Sequence, residues 1–88
     1  MTNFLGMDVA AIRTLAHQMS TAATDISNHA NTINNALQSA QWNGTDANNF
    51  RQDWGTHFQN LNTIVQALND ASTHASQNAD QQEQASNT

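Results

Sequence analysis

The chain is expected to be all-α, an antiparallel helix-turn-helix hairpin, and three observations carry that expectation. Apolar residues repeat at heptad spacing along two long segments, the 88 residues contain no proline, and the pattern breaks at a single internal point around Trp42-Asn43-Gly44. Proline and glycine are the residues that stop helices, so a chain with no proline and three glycines has few places to end one. A chain this short makes one domain and buries only about 60 to 65% of its unfolded surface, which leaves a monomer marginal. With no cysteine, disulfide reinforcement is closed to it.

The first helix is expected over residues 8–40. Asp8 is a favourable N-cap, and Met7 before it is placed to meet Ile12 as a hydrophobic staple. Ile12, Met19, Ile26, Ile33 and Ala40 recur every seven residues, with Leu5 one heptad upstream. Leu15, Ala22, His29 and Ala36 form a second column three residues on, and Val9, Ala16, Ala23, Ala30 and Leu37 a third. The resulting apolar stripe is wide.

The turn is expected at residues 41–45, where Gly44 can take a positive φ and Asn43 tolerates turn backbone. Thr45 is then a natural N-cap, and Asp46 suits the positive end of the following helix dipole. The second helix, expected over residues 46–78, repeats the heptad through Ala47, Trp54, Leu61, Leu68 and Ala75. Phe50, Phe58, Ile64, Val65 and Ala71 flank that column. Gly55 costs roughly 1 kcal/mol of helix propensity relative to alanine, which implies a packing reason such as the close approach of another helix. Residues 79–88 carry too little apolar surface to order themselves and read as a flexible tail.

Folding the chain at the break pairs Ala40 with Ala47, Ile33 with Trp54, Ile26 with Leu61, Met19 with Leu68 and Ile12 with Ala75. Every pair of residue numbers totals 87, as an antiparallel register requires. The expected hairpin and dimer core is Ile12, Leu15, Met19, Ile26, Ile33, Leu37, Phe50, Trp54, Phe58, Leu61, Val65 and Leu68. Two helices of about 30 residues make a rod roughly 45 Å long with no interior of its own. Covering its remaining apolar columns with a second hairpin gives a four-helix bundle.

Charge and motif content narrow the function classes. The formal net charge of −5 sets seven acids against Arg13 and Arg51 alone, which disfavours nucleic acid and anionic lipid as partners. No stretch reaches transmembrane length, and the first residues lack the basic and long apolar regions of a cleaved signal peptide, so neither membrane insertion nor signal cleavage is expected. His17, His29, His57 and His74 show no helical zinc spacing, and no cysteine or acid cluster joins them, so neither metal nor cofactor is expected. The register sets His29 beside Phe58, where charging an imidazole would oppose burial. With no nucleophile beside a base, no paired carboxylates on one face and no phosphate loop, the chain reads as no enzyme.

The Trp42-Asn43-Gly44 turn near mid-chain, between two amphipathic helices and followed by Phe50, Arg51 and Trp54, resembles the WXG-hundred family. These proteins are similar to the early secreted antigenic target of mycobacteria. The resemblance runs nearly the full length of the chain. It implies pairing with a second copy or with another WXG-type protein, folding in the cytoplasm, and export without a cleaved signal through a type VII (ESX-like) secretion system. The destination would be the medium or the cell surface. It also implies that a membrane-bound secretion ATPase recognises the C-terminal tail, in the family through a tyrosine or histidine followed four residues later by an acid. Here His74 precedes Asn78 and Ser76 precedes Asp80 at that spacing, so these four are the candidate signal residues. The alternative reading is an intracellular adaptor that pairs with the helical region of a larger secreted toxin.

Overall fold

The structure is a computed structural model and describes residues 8–87. Two helices make up the fold, α1 (Val9–Ser39) and α2 (Thr45–Asn87), packed against each other as an antiparallel hairpin. Leu5 and Met7, and with Met7 the expected staple to Ile12, lie outside the described residues.

α1 begins as its sequence dictates. Asp8 has extended backbone, its side chain accepts the N–H of Ala11 at 3.1 Å, and its carbonyl accepts the N–H of Ile12 at 3.0 Å. α1 ends when Ala40 turns extended (φ −68°, ψ 136°) after donating to the Ala36 carbonyl at 3.0 Å. The turn then passes through Gly44 at φ +110°, a conformation that side-chain-bearing residues rarely adopt. Thr45 is not the N-cap expected of it. The Gly44 carbonyl accepts the first helical N–H, from Asn48 at 3.0 Å, so Gly44 takes the capping position and Thr45 is the first residue of α2.

Residues 79–87 are helical rather than a flexible tail. The helix does not stop near residue 78 but continues to Asn87. Ala79 is fully buried, and Arg13 pairs with Asp80 (Nη1–Oδ1 2.8 Å) and with Glu83 (Nη2–Oε1 2.7 Å). Composition alone understates this segment. It is too polar to fold by itself, but Gln, Glu and Ala are good helix formers and the start of α1 offers a surface to pack on. At 43 residues α2 would be about 64 Å long, in keeping with overall dimensions of 66 × 16 × 14 Å.

Two hydrogen bonds across the hairpin report the register. Ser72 Oγ donates to the Ala16 carbonyl at 2.7 Å, and Trp54 Nε1 donates to Asn34 Oδ1 at 3.1 Å. Both pairs total 88, one residue from the expected 87. The seam itself differs more. Its centre on α1 is the alanine column, Ala16, Ala23 and Ala30, level in that register with Ser72, Val65 and Phe58 on α2; with Ala47 and Ala79 on α2 these alanines are the buried apolar residues among those described. The isoleucine column flanks that seam. Ile12, Met19, Ile26 and Leu37, with Trp54, Phe58, Leu61, Val65 and Leu68, are half-buried beside it, whereas Leu15, Ile33 and Phe50 are exposed. The expected Ile33–Trp54 layer does not form in the hairpin: Ile33 is 51% exposed and the Trp54 indole turns to Asn34. Small side chains at the contact line let two helix backbones approach closely, so larger ones pack along the sides.

Candidate interaction surfaces at the turn and along one face

The turn is held by one side chain. Arg51, in the second turn of α2, donates from Nη1 to the Trp42 carbonyl at 2.8 Å, and from Nη2 to the carbonyls of Leu37 and Ala40 at 3.3 and 3.4 Å. The last carbonyls of a helix have no partners within it, and α1 has no basic residue in its last turn, so Arg51 supplies from α2 both the donors and the positive charge. Next to it, Phe50 packs on Trp42 with ring centroids 5.4 Å apart and planes tilted by 54°. The indole is 40% exposed and Phe50 50% exposed, so the pair is presented at the end of the rod. Asn43 and Gly44 are exposed as well.

Helical spacing sets the rest of the surface. Leu15 and Ile33 on α1, and Phe50 and Ile64 on α2, all project to the same side of the hairpin, and all are 41 to 51% exposed. The opposite side is polar. A shallow concavity there is lined by Ala23, Thr24, Ser27, Asn28, Val65 and Asn69. Gly55 also lies away from the seam, and a Cβ placed on it would meet nothing within 4 Å. The expected close helix approach at Gly55 is therefore not made by α1.

His17, His29, His57 and His74 are all exposed, and His29 does not occupy the buried place beside Phe58 that the register implied. Among the described residues no group of three or more histidines, cysteines or acids is placed to hold a metal ion, and no helix is long and apolar enough to cross a membrane. Of the candidate signal residues, His74, Asn78 and Asp80 are exposed and Ser76 is half-buried. Asp80 is engaged by Arg13, whose guanidinium is held more firmly in its charged form by Asp80 first and Glu83 second. These residues sit beside the start of α1, at the far end of the rod from Trp42, so one hairpin does not bring turn and tail together.

Arg13 was read from sequence only as one of the chain's two cations and Arg51 as the other and as part of the sequence after the turn; the structural roles of both were missed. A signal for Arg51 was present. It falls in the same heptad column as Phe58, Val65, Ser72 and Ala79, a seam position where a charge needs partners. Nothing comparable marks Asn34 or Ser72, whose partners are a side chain and a carbonyl on the other helix.

The class defined by this geometry is a two-helix antiparallel hairpin with one apolar and one polar long face. Comparison with protein-family models, with curated proteins and with solved structures found no match to this chain.

Proposed function

We propose that the protein is a non-enzymatic helical hairpin that dimerises through its apolar face into a four-helix bundle and is exported in that form by a type VII (ESX-like) secretion system. The observation that carries the dimer is the one-sided exposure of Leu15, Ile33, Phe50 and Ile64 among the described residues. Contiguous apolar surface rimmed by polar residues is the usual mark of a protein interface. A second copy is the partner because the same face on another hairpin is self-complementary, as a two-fold interface requires. Export rests on the resemblance carried by Trp42-Asn43-Gly44 with Phe50, Arg51 and Trp54, and the exposed Trp42–Phe50 pair supports a recognition role for that turn.

The dimer is tested by Ile33→Asp against Gln38→Asp, two substitutions at positions exposed in the single hairpin. Both should stay helical, but Ile33→Asp should be monomeric at micromolar concentration because it would set an unpaired carboxylate inside the bundle. A wild-type monomer by light scattering, or an Ile33→Asp dimer as tight as that of Gln38→Asp, would refute the interface. Export is tested by following wild type, Trp42→Ala and a chain ending at Ala75 in cell and medium fractions of a host with an intact type VII system. The wild type should appear in the medium and the two variants should not. Retention of the wild type beside a larger helical partner would favour the adaptor instead.

A further inference from the structure

We infer that Arg51 is the positioning residue of the turn: its forked guanidinium, bound to three carbonyls, fixes the backbone that carries Trp42, so that the indole resting on Phe50 is presented in one orientation to the secretion machine. The recognition half rests on the proposed export reading; the positioning half rests on the geometry alone.

The turn has little else to hold it. Residues 41–43 form no helix or strand, and Ala40 ends α1 in extended backbone rather than in a glycine-closed cap. Between the end of one helix and the start of the other, the Trp42 carbonyl is tied down by the bond from Arg51 Nη1 at 2.8 Å. The same guanidinium reaches back to Leu37 and Ala40, so α1, the turn and α2 are joined through one planar group. Phe50, the neighbouring residue on α2, then holds the ring of Trp42 from the side. Arg51 thus fixes the backbone of Trp42 while Phe50 fixes its ring. A lysine cannot replace this arrangement, because one ammonium is a point charge and not a fork that spans several acceptors.

The test compares wild type, Arg51→Lys and Arg51→Gln by ¹⁵N relaxation of the two indole N–H groups, with Trp54 as internal control because Arg51 makes no bond to it. Its indole is held separately by Asn34. Wild type should show two equally rigid indoles. In both variants the Trp42 heteronuclear NOE should fall well below that of Trp54, while Arg51→Lys keeps the wild-type helicity because its charge still faces the end of α1. A merely structural role would loosen both indoles together or neither. Equal rigidity of the two indoles in Arg51→Gln, or full rigidity of Trp42 in Arg51→Lys, would overturn the positioning role. In the secretion host, Arg51→Gln should lower export to the level of Trp42→Ala, and the double variant should go no lower. An additive loss in the double variant would show that Arg51 does not act through Trp42. Normal export of Trp42→Ala would overturn the recognition half, while the relaxation result still decides the positioning half.

Discussion

Two buried alanines at the same seam should respond differently to the same enlargement. Ala23 and Ala30 are 1% and 3% exposed, so leucine at either position adds three carbons to a closed contact. Their surroundings differ. Ala23 borders the open concavity formed with Thr24, Ser27, Asn28, Val65 and Asn69, whose volume of about 210 Å³ can take the new carbons without moving a backbone. Ala30 lies level with Phe58 in the register, and Phe58 is packed on Trp54 with ring centroids 6.0 Å apart. A leucine there must displace the ring pair or separate the helices. Overpacking of this kind costs about 1 to 3 kcal/mol, which for a chain of this size lowers the melting temperature by roughly 4 to 24 °C. Ala23→Leu should cost less than about 1 kcal/mol, since its added apolar surface is partly sheltered. Thermal melts followed by circular dichroism at 222 nm, at matched protein concentration because association shifts apparent stability, give the comparison. If Ala30→Leu melted at or above the temperature of Ala23→Leu, the seam would have slack that close alanine packing excludes.

Gly44→Val should destabilise the hairpin by about 1 to 3 kcal/mol through backbone strain, because φ is +110° there although space for a side chain is open; an unchanged melt would show that the turn relaxes to negative φ at no cost. Gly55→Ala should raise hairpin stability by up to about 1 kcal/mol, since the new Cβ meets nothing and helix propensity improves. A weaker dimer in that variant, measured by sedimentation, would show instead that a partner helix closes over Gly55. Arg13→Gln should speed amide exchange after Ala79 while leaving the turn unaffected, and high salt should do the same to wild type, because both ion pairs are solvent-exposed. Alkaline buffer raises the intrinsic exchange rate everywhere but should leave the protection factors after Ala79 unchanged, since the raised arginine pKa keeps the guanidinium charged well beyond neutral pH. Exchange that ignored both the substitution and salt would remove the clamp from the account.

Much of the architecture was legible in the residues alone. Heptad columns, the Asp8 cap and the need for positive φ at Gly44 are local or periodic properties, and they determined two helices, their antiparallel pairing and a register correct to one residue. Three matters were decided only by the tertiary structure. Periodicity marks a wide stripe without saying which column sits at its centre; close backbone approach selected the alanines, which turned Leu15, Ile33, Phe50 and Ile64 outward. Composition ruled residues 79–88 too polar to order themselves, but a helix already packed on α1 extends through Ala79 at little further entropic cost, and Arg13 fastens it. The roles of the two arginines were invisible for the same reason: their partners lie 9 to 14 and up to 70 residues away along the chain. Hydrogen bonds and ion pairs at that separation exist only once the hairpin has brought its helices together, whereas caps, turns and heptads are written within a few residues of one another.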